Sequence, residues 1–316
     1  MHYRHPTRLR RIPRVGVALE RGGIRATYAI HDRIGSNRKA RSRFRQDAPA
    51  LDDVQRQIVD AVDASGFTVV PFAELFPEPA TWEELAREAR SFVEHTEQGL
   101  AAEATGGEGA LRRRAGKEFV VRRYSYGVDV ALDDPWLRLG VSRRMLDVAN
   151  ASLRLWSKLE YFDLWYSVPQ PQDASRVSSQ RWHRDYNDRH LLKAFLYLVD
   201  VDAAMGPFQY VPGSAGSGPY AREWPWRPLG DNYPGDDELA ARVPDSWVET
   251  FTGPAGTMVF CNTSGFHRGG LSTSDPRVLA TWTYSSPASL ASLTERSYRF
   301  TGSLDELDAL QRFAVT

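Results

Sequence analysis

The sequence predicts a mainly β fold, a sandwich or barrel with helices packed outside it, and three observations support this class. Residues 177–287 consist of short apolar runs separated by Gly, Pro and Asp, without an amphipathic helical pattern between them. Helical periodicity is concentrated in the N-terminal half. Of the 316 residues, 42% are hydrophobic and 25% are charged, which is ordinary for globular proteins and excludes a wholly disordered, collagenous or coiled-coil chain.

Helix signals mark three segments, 51–66, 81–95 and 134–150. The first has apolar residues at helical spacing and ends at Gly66. The second begins with a Thr-x-x-Glu capping box, and the third begins with Asp-Pro, an N-cap followed by a first-turn proline. Between the second and third segments, residues 101–116 are expected to form a loop.

Strands are predicted where apolar or aromatic runs lie between turn residues. A long aromatic stretch, 155–166, can form one strand or two. The other predicted strands are 67–70, 119–124, 195–199, 208–211, 257–261 and 277–284. The Pro-rich segment 214–254 interrupts this pattern, and a loop of that length is typical of a functional lid.

The charges are unevenly distributed, although the chain is neutral overall. Residues 1–46 hold 13 bases and two acids, whereas the remainder holds 27 bases and 38 acids. We therefore predict a basic N-terminal arm, 1–48, and a single domain, 49–316, with residues 214–254 as a lid-like insertion. The arm lacks sustained periodicity, and its short apolar pieces at 15–19 and 24–30 suggest two small strands. An arm that wraps the acidic body is favoured over one that binds nucleic acid or an anionic substrate, because no base-reading motif accompanies the charge.

Cysteine content and hydropathy restrict the class further. Cys261 is the single cysteine, so an internal disulfide and a cysteine zinc cluster are excluded, and the residue is expected to be a small buried hydrophobe. No apolar run is long enough to span a bilayer, and the N-terminus lacks the apolar middle of a signal peptide. A reducing cytoplasm suits these features, and we expect a cytoplasmic protein without a membrane partner.

The chemistry is concentrated around a His-x-Asp pair, His183 and Asp185. On an extended segment, residues two apart share one face, so the imidazole and the carboxylate can converge on one point. The next imidazole is His267, between two predicted strands. Two histidines and one carboxylate on one face of a metal form the arrangement used by non-haem Fe(II) oxygenases.

Arg277 follows His267 by ten residues and begins a predicted strand. A guanidinium is a planar, permanently charged fork that binds a carboxylate through two hydrogen bonds. It could anchor a cosubstrate that has a distal carboxylate and a metal-chelating end. The alternative is a surface arginine paired with Asp275.

Together these features resemble the phytanoyl-CoA dioxygenase-like family of Fe(II)/2-oxoglutarate oxygenases, over roughly residues 51–287. The matching pieces are His183-Arg184-Asp185, the run "FLYLVDVDAAMGPFQYVPGS", His267-Arg268-Gly269-Gly270, Arg277, and the entry "VDASGFTVVPFAELF". The resemblance implies a double-stranded β-helix (jelly-roll, cupin-like) core with outer helices.

The resemblance also implies roles for individual residues. His183, Asp185 and His267 would be the iron ligands, Arg277 would bind the C5 carboxylate of 2-oxoglutarate, and Phe195 would lie near the cosubstrate. The cofactors would be Fe(II), 2-oxoglutarate and O2, and the reaction hydroxylation with succinate and CO2 as coproducts. In the halogenating relatives a small residue replaces the carboxylate ligand, so an aspartate at 185 favours hydroxylation. The family commonly has His or Lys after its Pro-Gly-Ser turn; this chain has Ala215, which is not a ligand position.

Other classes remain open on the sequence. They are an inactive metal-binding or ligand-binding barrel, a nucleic-acid-directed oxygenase that uses the basic arm, and a cupin-type sugar isomerase or epimerase. We expect a small or medium organic substrate, partly apolar because the insertion is rich in Trp and Tyr. Lys193 could meet an anionic substrate or cosubstrate, but a salt bridge on the outer face of its strand is favoured.

Overall fold

A computed structural model describes residues 14–106, 111, 117–124, 127–216, 218–224, 233–290 and 298–316 of the chain. Its described helices are α1 Arg14–Arg33, α2 Ser36–Gln46, α3 Asp53–Ser65, α4 Phe72–Leu75, α5 Pro79–Thr105, α6 Pro135–Gly140, α7 Arg143–Leu153, α8 Asp236–Ala240 and α9 Ala309–Val315. Its described strands are β1 Phe67–Pro71, β2 Val120–Arg122, β3 Val128–Val130, β4 Lys158–Ser167, β5 Leu191–Tyr197, β6 Phe208–Tyr210, β7 Glu249–Phe251, β8 Thr257–Cys261, β9 His267–Gly269, β10 Arg277–Ser285 and β11 Tyr298–Phe300.

The described part of the basic arm is helical, so the two small strands expected at 15–19 and 24–30 are wrong. Helix α1 covers both segments, α2 follows it, and Tyr28, Asn37 and Ala40 are buried. Short apolar runs do not distinguish strand from helix, and the Ala and Arg content of this stretch favours helix. Residues 1–13 lie outside the described part of the chain.

The helices of the N-terminal half follow the sequence signals with shifted ends. A capping box between Asp52 and Gln55 begins α3, and Gly66 ends it with a φ of 91°. The second predicted helix begins earlier, at Pro79, and continues to Thr105, so residues 101–105 are helix and not loop. The helix expected over 134–150 is two helices, because Ser142 caps a second start. Residues 107–110 and 112–116 of the expected loop lie outside the described residues.

Two antiparallel sheets form the core, which confirms the jelly-roll class. The larger sheet has the order β1-β8-β5-β10-β4-β2, and the smaller has the order β7-β6-β9. The aromatic stretch is a single strand, β4. Strand β7 lies within the 214–254 segment and pairs with β6, so the end of that segment belongs to the barrel.

Alternation along the strands gives the larger sheet two different faces. Its outer face packs against the helices through residues such as Leu196, Phe260 and Trp282. Its inner face packs against the smaller sheet, where Phe195 of β5 contacts Phe208 of β6. Residues two apart on β5 and β10 share this inner face, which carries Phe195 and Arg277, two of the predicted site residues.

Candidate metal centre

The His-x-Asp segment lies beside the chain that leads into β9. His183 and His267 exchange two backbone hydrogen bonds, each 3.0 Å from N to O, and the Asp185 amide donates to the Thr263 carbonyl at 2.9 Å. His183 therefore forms an isolated bridge to β9 and does not lie in a longer strand. The extended backbone turns His183 and Asp185 to one side, as their spacing predicts.

The three side chains converge on one point. Their ligand atoms all lie within 4.8 Å of one another. His183 Nε2 is 3.9 Å from Asp185 Oδ1, and His267 Nε2 is 3.8 Å from Asp185 Oδ2. Two donors that each bind an ion at about 2 Å lie no more than about 4 Å apart, so the two imidazole-to-carboxylate separations suit a single divalent cation.

Backbone carbonyls orient both imidazoles. His183 Nδ1 lies 2.8 Å from the Arg181 carbonyl oxygen, and His267 Nδ1 lies 3.0 Å from the Gly265 carbonyl oxygen. A carbonyl only accepts hydrogen bonds, so Nδ1 carries the proton in each ring. The lone pair is then on Nε2, which faces the carboxylate and is the atom that a metal would bind.

Burial and charge hold the three groups in the protonation states of metal ligands. Desolvation lowers the pKa of His183 and lowers that of His267 to about 3. Burial opposes ionisation of Asp185, but the Lys193 ammonium and the two imidazoles hold its pKa well below the usual range. Neutral imidazoles and an ionised carboxylate can bind a cation without first releasing protons.

Lys193 was expected on the outer face of its strand and lies instead on the inner face of β5. Its ammonium nitrogen is 2.6 Å from Asp185 Oδ2. The register of β5 decides this, because Lys193 pairs with Thr283 and Cys261 while the alternate residues Leu192 and Ala194 pack outward. A second lysine, Lys117, also lowers the pKa of His183 through its charge.

Arg277 is buried on the inner face of β10, so the expected alternative of a surface pair with Asp275 does not hold. Its Nη2 donates weakly to Ser167 Oγ at 3.4 Å. Its Nε and Nη1 have no hydrogen-bond partner, and no carboxylate of the described residues forms an ion pair with it. It also lies close to β9, since a Cβ at Gly269 would come within 3.2 Å of Nη2. Gly269 is two residues from His267, so the guanidinium lies near the three convergent side chains.

Phe195 lies on the same inner face and is buried. Its ring is 4.8 Å from the ring of Phe208, which in turn is 5.7 Å from His267. The predicted residue is thus one aromatic ring away from the candidate ligand set.

A comparison with protein families identifies the chain. The model of the phytanoyl-CoA dioxygenase (PhyH) family matches residues 62–278, which is more than two thirds of the chain. The chain belongs to the phytanoyl-CoA dioxygenase family. Fe(II) and 2-oxoglutarate are the cofactor and cosubstrate of this family, and O2 is its usual co-substrate. The described parts of the chain contain no helix with the length and apolar character to cross a membrane.

Several solved structures are similar to part of the chain. EctD from S. alaskensis has 19% identity and a TM-score of 0.49, with 76% of this chain and 80% of that chain covered. The α-ketoglutarate-dependent epimerase SnoN from nogalamycin biosynthesis has 18% identity and a TM-score of 0.47, with 74% and 83% covered. HygX from Streptomyces hygroscopicus, with nickel and 2-oxoglutarate bound, has 18% identity and a TM-score of 0.45, with 75% and 88% covered. No curated protein sequence matches the chain.

The sequence did not indicate the role of Arg184, the residue between two of the candidate ligands in this family member. Its side chain points away from them and is buried. All five of its N–H groups donate to backbone carbonyls, those of Ser214, Ser264, Tyr220, Glu223 and Trp224, at 2.5–3.2 Å. The guanidinium also lies 3.9 Å from the ring centre of Phe266. Arg184 thus connects the candidate metal centre to the first part of the 214–254 segment.

Tyr233, from the same segment, covers the candidate centre. Its ring stacks on that of His183 at 5.1 Å with an interplanar angle of 12°. Burial raises the pKa of Tyr233 to about 12, so it is a neutral phenol at physiological pH. Both residues were outside the predicted site because no local pattern in the sequence indicates these long-range contacts.

Proposed function

We propose that this protein is an Fe(II)/2-oxoglutarate-dependent dioxygenase that hydroxylates a small or medium organic molecule. In this proposal His183, Asp185 and His267 hold the iron, Arg277 binds the distal carboxylate of 2-oxoglutarate, and Phe195 lies beside the cosubstrate. The iron and 2-oxoglutarate together would activate O2 and supply the oxidising equivalent, with succinate and CO2 as coproducts.

The observation that carries the proposal is the buried guanidinium of Arg277. A buried charge is costly unless it is paired, and Arg277 has no acidic partner among the described residues. A ligand carboxylate would supply both the missing charge and the missing acceptors. A metal-binding barrel that takes no acidic cosubstrate has no need for this cation.

Unsatisfied polar groups on the neighbouring inner face support the same ligand. Thr281 and Thr283 follow Arg277 at alternate positions of β10, and their hydroxyls have no hydrogen-bond partner. The indole N–H of Trp165, on the adjacent strand β4, also lacks one. Buried polar groups are rarely left unpaired in native proteins, so a cluster of them suits a polar ligand.

The chain's own residues would bind the ion, orient the cosubstrate and exclude water. Neutral His183 and His267 and ionised Asp185 present three donors on one side of the ion, so the opposite side stays open to small ligands. Arg277 fixes the far end of the cosubstrate. Tyr233 and the segment tied down by Arg184 cover the centre, which limits the access of water.

The substrate would be selected by the insertion 214–254. Its described aromatic residues include Tyr220, Trp224, Tyr233 and Trp247, and Tyr220 packs edge-on against Trp247 at 5.2 Å. Aromatic walls with a few polar groups suit a partly apolar organic molecule.

The test is anaerobic addition of Fe(II) to the purified protein, with and without 2-oxoglutarate, while the visible metal-to-ligand charge-transfer band is recorded. Asp185→Ala and Arg277→Ala are compared with Arg299→Leu, whose surface pair with Asp129 lies outside the candidate site. Succinate formation is then measured after O2 is admitted, without any added substrate.

We expect the band in the wild type and in Arg299→Leu, and its loss or weakening in both site variants. A wild type that binds iron without the band would indicate a metal barrel of another class. Succinate formed by the wild type in the presence of O2 would exclude the inactive, ligand-binding alternative.

A further inference from the structure

We infer that the N-terminal helices α1 and α2 support the candidate metal centre, and that Tyr28 is a positioning residue for the segment that follows Asp185. The inference rests on the proposed function. It goes beyond the family match, which begins at residue 62, after both helices have ended.

Tyr28 reaches the candidate centre through Asp188, three residues after Asp185. The Tyr28 hydroxyl donates to Asp188 Oδ1 at 2.5 Å, and it accepts a hydrogen bond from the Arg189 amide at 3.1 Å. Both Tyr28 and Asp188 are buried. Asp188 Oδ2 accepts two further hydrogen bonds from the amide and hydroxyl of Ser286, at 2.8 and 2.5 Å. One carboxylate therefore joins α1, the His-x-Asp segment and the end of β10.

A second contact from the helices holds His190. Asp32, near the end of α1, lies 3.1 Å from His190 Nε2 and also binds Arg41 of α2 at 2.6 Å. The interactions with His190, Asn37 and Arg41 keep the pKa of Asp32 well below its usual range. The acid is thus ionised where the helices meet the segment.

Asn37 of α2 attaches the helices to the residues that follow β10. Its amide nitrogen donates to Ser286 Oγ at 2.8 Å, and its amide oxygen accepts from the Ala288 amide at 3.0 Å. Asn37 is fully buried, so these contacts are intrinsic to the fold.

The body of the protein holds the same segment from a third side. Glu160 is the extra residue of a bulge in β4, since Thr283 pairs with Tyr161 and Tyr284 with Leu159. The bulge turns the Glu160 carboxylate toward Asn187 Nδ2, at 2.6 Å, and Ser289 Oγ, at 2.6 Å. Residues 187–190 are therefore held between β4, the end of β10 and the two N-terminal helices.

These contacts with residues 187–190 affect the candidate metal centre because the segment connects to it at both ends. It joins Asp185 to β5, and β5 carries Lys193, whose ammonium contacts Asp185. A loosened segment would let the carboxylate move relative to His183 and His267. Groups that orient metal ligands indirectly influence metal affinity by about tenfold or more.

The experiment uses the full-length, metal-free protein and Co(II) as the probe, in the presence of 2-oxoglutarate. The variant is Tyr28→Phe, which removes one hydroxyl. The matched control is Tyr124→Phe, because Tyr124 is also buried and also donates to a carboxylate, Asp134 Oδ2, at 2.5 Å, away from residues 187–190. The measurements are the Co(II) dissociation constant, the visible d–d spectrum, and hydrogen exchange of the amides at 186–190.

We expect Tyr28→Phe to weaken Co(II) binding about tenfold, to alter the d–d spectrum and to accelerate exchange at 186–190. Tyr124→Phe should keep the wild-type affinity and spectrum, even if its melting temperature falls by as much as that of Tyr28→Phe. Asn37→Ala serves as the second variant, judged by the same criteria, if Tyr28→Phe does not fold.

Wild-type affinity and spectrum in Tyr28→Phe would overturn the inference and leave the proposed function standing. Equal weakening in Tyr28→Phe and Tyr124→Phe would also overturn it, because the effect would then follow stability alone. A wild type that does not bind Co(II) would overturn both the inference and the proposed function.

Discussion

The ammonium nitrogen of Lys193 lies 2.6 Å from Oδ2 of Asp185, so the carboxylate of the candidate ligand set has a cationic partner supplied by the chain itself. Both side chains are largely buried, with 14% and 19% of their surface exposed. In the metal-free protein, Lys193 supplies the positive charge that a divalent ion would otherwise bring. Metal binding and this ion pair are therefore energetically linked.

Replacing Lys193 by Met should have opposite effects on metal-free stability and on metal affinity. The metal-free protein should lose about 3 kcal/mol of unfolding free energy, because a buried carboxylate is left without its cation. Co(II) affinity should rise, because the incoming ion no longer meets a neighbouring positive charge. Urea denaturation with a chelator and Co(II) titration measure the two effects.

Lys158→Met is the control for this prediction, since the Lys158 ammonium donates to the Phe313 carbonyl at 2.7 Å and does not contact Asp185. It should leave Co(II) affinity unchanged. Weaker Co(II) binding by Lys193→Met would contradict the view of the ammonium as a replacement for the metal's charge.

The stability of the metal-free protein should fall on acidification below about pH 6.5, because the folded pKa values of both candidate histidine ligands are lowered. Over this range the unfolded chain binds protons on His183 and His267 that the folded chain does not bind. Stability therefore rises with pH, by up to about 1.4 kcal/mol per pH unit for each histidine. The contribution of Asp185, whose folded pKa is also lowered, is lost only at still lower pH.

Urea denaturation at several pH values between 7 and 4, with a chelator present, measures this slope. His267→Gln should reduce it by about one histidine's share, and His95→Gln, at an exposed position on α5, is the matched control. An unchanged slope in His267→Gln would show that His267 does not remain neutral in the folded protein.

Arg277→Leu should stabilise the cosubstrate-free protein while abolishing its response to 2-oxoglutarate. The buried guanidinium has no acidic partner among the described residues, so its removal should raise the unfolding free energy by about 1 kcal/mol. The wild type loaded with Ni(II) should gain about 2.7 kcal/mol from 2-oxoglutarate at a hundred times its dissociation constant. Thermal unfolding with and without 2-oxoglutarate separates the two effects. A destabilised Arg277→Leu that still responds to 2-oxoglutarate would contradict both expectations.

Arg184→Met should release the first part of the 214–254 segment. It removes five hydrogen bonds to backbone carbonyls, two of which are fully buried, and we expect a loss of about 3 kcal/mol of stability and faster proteolytic cleavage of that segment. Arg184→Lys should recover only part of the lost stability. An ammonium has three donors and cannot reproduce the planar arrangement of five donors in a guanidinium. The control is Arg222→Met, at an exposed position on the same segment, and in this variant the segment should be cleaved at the wild-type rate. Equal cleavage rates in Arg184→Met and the wild type would mean that Arg184 does not hold the segment.

Features that depend on a few adjacent residues could be predicted from the sequence. The His-x-Asp spacing places two donors on one side of any extended segment, whatever the surrounding fold. The strand over residues 257–261 and the end of α3 at Gly66 have the predicted bounds, because apolar runs and a positive φ are properties of a few adjacent residues. The assignment of His183, Asp185, His267, Arg277 and Phe195 to iron and cosubstrate stays a prediction that the proposed experiments test.

Tertiary structure alone decided the features that depend on register and on distant partners. A slip of one residue in β5 would place Lys193 on the outer face, as the sequence led us to expect, and only strand pairing selects the inner one. The partners Tyr28 and Asp188 are 160 residues apart, and no local pattern relates them. The arm's charge was visible in the sequence, but its helices are held in place by contacts with Asp188, His190 and Ser286. Sequence therefore determined which chemical groups the chain carries and their local spacing, whereas packing determined which of those groups meet, because burial and pairing energies depend on the whole fold.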